Sequence, residues 1–208
     1  MNGLLFITHR TEKYDYLQSI DVALQGGCRQ IQLRMKDALV EEVEKTAIQA
    51  KLMCDAVGAD LYLNDHTEVC RKVNTKGVHL GKTDMLPSEA RAMLSAQYII
   101  GGTANTFDDI LHLNRQGVNY IGLGPFRFTT TKANLSPVLG LEGYRCIVKL
   151  CRQHDITLPI FAIGGITFHD IQDIMQTGVS GIALSSTILN AGNPVEETKK
   201  IIELINRY

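Results

Sequence analysis

Short apolar runs alternate with longer stretches of helical spacing along the whole chain, and that beat is the first thing the sequence establishes. Runs suited to strands buried on both faces occupy residues 4–7, 30–33, 61–63, 77–80, 98–100, 120–123, 160–163 and 181–184. Between them, apolar positions recur at helical spacing over 39–57, 87–94, 106–116, 141–154, 167–176 and 194–205. Helix starts are marked by Pro87 shortly after Thr83-Asp84, and by Thr106 followed by the acids Asp108 and Asp109. Gly58, Gly117 and Gly178 mark helix ends. Strand–helix units repeated eight times in 208 residues sit at the lower size limit of a (β/α)8 TIM barrel. The expectation is an α/β fold in which 1–208 form a single barrel domain. A doubly wound sheet is the alternative, disfavoured by the even spacing and by the lack of a GxGxxG after the first strand.

Composition narrows the class without choosing a function. A net charge of −1 gives no electrostatic case for nucleic acid or an anionic membrane surface. No apolar run approaches membrane-spanning length, and Met1-Asn2-Gly3 leads into a strand pattern rather than a signal peptide. The five cysteines are an odd number without CxxC spacing. Reduced thiols in a cytoplasmic protein are therefore expected, and zinc is not.

The polar residues cluster where the apolar runs end. Gln32-Leu33-Arg34-Met35-Lys36 closes the second run, and Asn64-Asp65 closes the third. His79-Leu80-Gly81-Lys82-Thr83-Asp84 follows the fourth, Gly124-Pro125 leads to Thr129-Thr130-Thr131-Lys132 after the sixth, and Gly164-Gly165 and Ser185-Ser186 follow the last two. In a barrel these positions share one face, the C-terminal mouth. Gly164-Gly165 lets backbone N–H groups approach an anion, and Ser185-Ser186 could open a short helix facing it. A mere tight turn explains the glycines about equally well until the serines are added. Asp65 and Asp84, with Arg34, Lys36 and Lys132 nearby, suit a magnesium–pyrophosphate site, because Mg²⁺ takes one or two carboxylates and fills its other positions with phosphate oxygens and water. The competing reading of Asp84 is a helix N-cap, and of Arg34 and Lys36 a solvated face. Residues 32, 34 and 36 would point the same way from an extended strand. His79 is expected to be a satisfied core or near-mouth residue, and no histidine receives a catalytic role.

Gln32-Leu33-Arg34-Met35-Lys36, Leu63-Asn64-Asp65, Gly77-Val78-His79-Leu80-Gly81 through Asp84, Gly122-Leu123-Gly124-Pro125, Thr129-x-Thr131-Lys132, Gly140-Leu141-Glu142-Gly143 and Ala162-Ile163-Gly164-Gly165-Ile166 resemble thiamine-phosphate synthases over nearly the whole chain. The resemblance implies that the diphosphate of hydroxymethylpyrimidine is displaced by the ring nitrogen of hydroxyethylthiazole phosphate, in a dissociative, Mg²⁺-assisted step. It assigns Gln32, Arg34, Lys36, Asn64 and Lys132 to the pyrimidine diphosphate, with Arg34, Lys36 and Lys132 as the catalytic cations. Leu33 and Met35 belong to the same ligand-facing run, and Thr103 stands where the family commonly has a pyrimidine-side serine. Asp65 and Asp84 would bind Mg²⁺. Thr129, Thr130 and Thr131, Gly165, Ser185 and Ser186 would hold the thiazole phosphate. His9, Lys82, Asn105 and Ser185 depart from the family's commoner residues, with His9 and Lys82 expected to add positive potential at the mouth. A thiazole tautomerase branch relies on a histidine where this chain has Asn105, and tends to lack the aspartate pair and Thr-x-Thr-Lys. Synthase is thus the favoured reading; tautomerase and a non-catalytic phosphometabolite-binding barrel are the alternatives. Oligomeric state is not written in the sequence, and a homodimer through outer helices is expected only by analogy with other small barrels.

Overall fold

A computed structural model describes residues 1–36, 38–128 and 137–208. Eight parallel strands close into a barrel, each paired to the next and β8 to β1. They are β1 (Gly3–Ile7), β2 (Gln30–Leu33), β3 (Asp60–Asn64), β4 (Gly77–Leu80), β5 (Ile99–Ala104), β6 (Tyr120–Leu123), β7 (Ile160–Ile163) and β8 (Gly181–Leu184). Around them run α1 (Tyr16–Gln25), α2 (Val40–Ala56), α3 (Thr67–Val73), α4 (Pro87–Met93), α5 (Phe107–Arg115), α6 (Gly140–Gln153), α7 (Ile171–Gln176), α8 (Ser186–Leu189) and α9 (Pro194–Ile205). The barrel reading of the sequence is correct. Among the described residues no helix is long and apolar enough to cross a membrane.

The strands read as unbroken apolar runs because both their faces are buried. Phe6, Ile31, Leu33, Leu63, Val78 and Ile100 face the helices in the outer core. Leu5, Ile7, Tyr62, Tyr120, Phe161 and Ala183 fill the barrel interior. That interior is too narrow for eight large inward residues, so glycines make room. A Cβ at Gly101 would lie 2.2 Å from the Tyr120 ring, and one at Gly181 would lie 2.7 Å from Phe161.

Four elements differ from the sequence expectation. β5 runs on through Gly101-Gly102 to Ala104, because each residue from Gly101 to Ala104 pairs with β6 despite the low strand propensity of glycine. The helix expected over 167–176 begins instead as a 3₁₀ turn at Phe168–Asp170 before α7. α1 and α3 lie outside the ranges expected from periodicity. Local chemistry explains α1: Asp15 and Gln18 form a reciprocal capping box, with Gln18 N–H donating to Asp15 at 2.8 Å and Asp15 N–H to Gln18 at 2.9 Å.

Candidate active site

Parallel pairing in register carries each polar cluster to the same end of the barrel. Gln32 on β2 points inward and is 2 % exposed. Its Nε2 donates to Asn64 Oδ1 at 2.5 Å, and Asn64 Nδ2 donates to Asp65 Oδ1 at 2.6 Å. The chain leaves β3 through Asp65 in the left-handed region, φ +67°. Gln32 Oε1 is buried and has no hydrogen-bond partner among the described residues, an acceptor still open to a ligand.

Asp84 is not a helix cap. The N-cap position of α4 falls to Leu86, and Asp84 Oδ2 instead accepts the Gly81 N–H at 2.6 Å, closing the turn after β4. Asp84 thereby comes within hydrogen-bonding reach of Asp65. Burial raises the Asp65 pKa to about 6, helped by the Asp84 carboxyl; Asn64 and the Arg34 charge act in the opposite sense. Two converging carboxylates are a donor set suited to a hard divalent cation, which would offset their charge.

Beside this carboxylate edge lies a cavity of about 190 Å³, over β1 and β5 to β8. Of the residues expected from the sequence, Arg34, Thr103, Gly165, Ser185 and Ser186 line it; Gln32, Asn64, Asp65 and Asp84 do not. Arg34 belongs to both halves, since it lines the cavity and acts on Asp65. Thr8 anchors its backbone, accepting the Arg34 main-chain N–H at 2.9 Å while its own hydroxyl lies 3.3 Å from the Arg34 carbonyl. Ser185 precedes α8, and its Oγ is buried without a partner among the described residues.

Gly164 and Gly165 have φ of +97° and +67°, a region that side-chain-bearing residues avoid. They are also packed beneath the segment after β6: a Cβ on Gly164 would sit 2.7 Å from Pro125 Cβ, and one on Gly165 would sit 3.0 Å from Arg127 Cβ. Arg127 fastens that segment, donating Nη1 to the Gly165 carbonyl at 2.6 Å and both nitrogens to Asp170 at 2.9 Å. Hydrogen bonds from Arg127 are the main cause that lowers the Asp170 pKa to about 2. Sequence reasoning missed Thr8, Arg127 and Asp170. The turn signal Thr167-x-x-Asp170 was available for the last of them, since Asp170 accepts the Thr167 N–H at 2.8 Å.

Other expected site residues are placed differently. The side chains of Leu33 and Met35 are packed in the outer core, so from that run only Gln32, Arg34 and Lys36 remain to meet a ligand by side chain. Lys36 is exposed in a turn beyond β2, so strand alternation no longer sets its direction. Thr129, Thr130, Thr131 and Lys132 lie outside the described residues. His9 stands on the cavity wall, whereas Lys82 is ion-paired with Asp109 at 2.6 Å and adds less free positive charge to the mouth than expected. Burial alone would raise the Asp109 pKa, but Lys82 and the Asn105 N–H outweigh it and the net shift is downward. Asn105 lines the cavity and donates its amide to the Gly124 carbonyl, tying the ends of β5 and β6.

A family model described as thiamine monophosphate synthase matches residues 4–188. The thiamine-phosphate synthase of Bacteroides fragilis (strain YCH46) is 57% identical over 98% of this chain and 100% of its own length. That of Methanococcus maripaludis is 32% identical over 93% of this chain and 90% of its own. A solved structure described as thiamine phosphate pyrophosphorylase from Pyrococcus furiosus superposes with a TM-score of 0.87 at 29% identity, covering 99% of this chain and 96% of that one.

Proposed function

The chain belongs to the thiamine monophosphate synthase family and acts as a thiamine-phosphate synthase, a transferase; on that premise we propose how its residues share the reaction. The substrates are hydroxymethylpyrimidine diphosphate and hydroxyethylthiazole phosphate. The bond between the pyrimidine methylene carbon and the diphosphate oxygen breaks first, and its electron pair leaves with the diphosphate. The thiazole nitrogen then donates its lone pair to the methylene cation, forming the new C–N bond. No base is required for the attack, and no covalent enzyme intermediate.

Leaving-group charge is the main barrier in such a step, and fixed cations aimed at it lower that barrier. Arg34 carries this role most directly, since it lines the cavity and its charge acts on Asp65, with its backbone anchored by Thr8. Lys36 and Lys132 complete the cationic set. Asp65 and Asp84 would hold Mg²⁺, which supplies charge neutralisation on the diphosphate when bound. The observation that carries this reading is the convergence of Asp65 and Asp84 at the barrel mouth, where burial and the Asp84 carboxyl raise the Asp65 pKa to about 6.

Gln32, with its open buried acceptor, Asn64 and Thr103 orient the pyrimidine, while Leu33 and Met35 give the run its backbone position. The thiazole phosphate is assigned to Gly165, Ser185 and Ser186 together with Thr129, Thr130 and Thr131. Holding both reactants in line accounts for a large part of the acceleration expected of this enzyme.

Residues 1–208 act as one catalytic barrel. Unpaired thiols at all five cysteines support a reducing, cytoplasmic setting. For a homodimer through outer helices, exposed Ile48 and Leu52 on α2 provide apolar surface that pairing would cover.

The test is formation of thiamine phosphate by purified protein given both phosphorylated precursors, with and without Mg²⁺. Metal-dependent product is expected. A folded protein that binds thiazole phosphate yet forms no product would instead be a tautomerase or a binding-only barrel.

A further inference from the structure

Inside the barrel, three polar side chains connect a fully buried hydroxyl to the cavity wall. Tyr120 begins β6 and is 0 % exposed. Its ring lies across β5 at Gly101, the glycine that clears its path, so the hydroxyl reaches β4 and sits 3.0 Å from Nδ1 of His79. The His79 ring passes close to Gly122, where a Cβ would lie 2.9 Å from its Cε1. Its other nitrogen, Nε2, is 3.0 Å from Thr103 Oγ1, and Thr103 lines the cavity.

The direction of hydrogen bonding along this row follows from the buried end. Burial pushes the Tyr120 pKa well above its ordinary value, with a smaller contribution from Tyr62, so the hydroxyl keeps its proton. A buried O–H is costly without an acceptor, and Nδ1 of His79 is placed to accept it. Nδ1 then carries a lone pair, and the hydrogen of the neutral imidazole is on Nε2. That Nε2–H donates to Thr103 Oγ1. With its oxygen accepting from the ring, Thr103 directs its own hydrogen elsewhere, and the open direction is the cavity.

We propose that Tyr120 and His79 are positioning residues that fix Thr103 as a hydrogen-bond donor into the cavity, selecting a substrate that presents a lone-pair nitrogen or oxygen at that point over one that presents an N–H. This rests on the reading above, in which Thr103 meets the pyrimidine substrate. The selection costs nothing at the moment of binding, because the donor is oriented before the ligand arrives. A merely structural row would stiffen the barrel without caring which way its protons run.

Two measurements test this. In the ¹⁵N-labelled full-length protein, imidazole ¹H–¹⁵N correlation spectra report each histidine's tautomer, with His79 assigned by the signals lost in His79→Gln. The expected result is a neutral ring protonated at Nε2, and a mixture of tautomers in Tyr120→Phe. A ring protonated at Nδ1, or at both nitrogens, overturns the proposal. This measurement needs no turnover, so it decides the proposal even if the chain forms no thiamine phosphate, an outcome that would count against the functional reading alone.

The second measurement is kinetic. Thr103→Val should raise KM for the pyrimidine diphosphate about tenfold, the loss of one hydrogen bond, and leave KM for the thiazole phosphate near its original value. Thr103→Ser should restore it. In a Tyr120→Phe background, Thr103→Val should add little, because the donor is already unfixed. Full additivity, or equal effects on both substrates, overturns the proposal. If Tyr120→Phe proves too unstable to assay, His79→Leu takes its place in the cycle, with a thermal melt confirming the fold.

Discussion

Arg127 and Asp170 form a two-pronged ion pair, with both N–O distances 2.9 Å, that binds the segment after β6 to the turn before α7. Arg127 is half exposed, so the pair itself is worth little in water; its value lies in where it holds Gly165. Asp170→Asn should therefore lower stability by about 1 kcal/mol, combining the lost charge with a weakened Thr167 turn. Its pKa falls from 3.8 to about 2 on folding, so the stabilisation is present above pH 3.8 and disappears as pH drops through 2. Urea midpoints of the two proteins should differ at pH 7 and draw together as pH falls to about 2. A gap that stays constant across that range would place the stabilisation elsewhere.

Asp65→Asn and Lys132→Ala should each reduce turnover by about a hundredfold or more while leaving the fold intact, since the first weakens the Mg²⁺ site and the second removes a cation assigned to the leaving group. Steady-state assays with circular dichroism as the fold control decide it. Near-normal turnover in both variants would sink the metal–pyrophosphate assignment.

Asp65 titrates the other way from Asp170. Its folded pKa, about 6, lies above the ordinary 3.8, so between those values the native state holds the extra proton and stability falls as pH rises. Without Mg²⁺ the protein should lose stability between about pH 4 and pH 6.5, and Asp65→Asn should flatten that slope. Added Mg²⁺ should restore stability most strongly at the upper end, where the carboxylate is ionised. Thermal melts across this pH range, with and without Mg²⁺, supply the check; a slope identical in the wild type and Asp65→Asn would refute it.

Gly164→Ala should be costly twice over. The backbone there has φ +97°, and the added methyl would lie 2.7 Å from Pro125 Cβ. A loss of about 1–3 kcal/mol is expected from strain and overpacking. KM for the thiazole phosphate should rise as well, because the neighbouring Gly165 N–H is displaced. Urea unfolding and substrate-saturation curves measure the two effects separately.

Much of this protein was legible in the chain itself. Strands buried on both faces must be apolar throughout, so the eight runs announced the barrel, and polar residues at their C-terminal ends announced its mouth. Glycines at 58, 117 and 178 marked helix ends because each adopts a positive φ there. What periodicity reports is which side of its own strand a residue takes. It does not say which residue of another strand waits on that side. Register and barrel closure made that choice: they brought Asp84 to Asp65 instead of to a helix cap, paired Lys82 with Asp109, and ran β5 through two glycines because Tyr120 and Leu113 needed the space. They also sent Leu33 and Met35 into the outer core, and left Lys36 beyond the reach of strand alternation. The sequence alone determined the barrel and the inventory of its mouth, since both follow from local pattern. Only the tertiary structure decided which members of that inventory meet, because those contacts join residues tens of positions apart and depend on how neighbouring strands align.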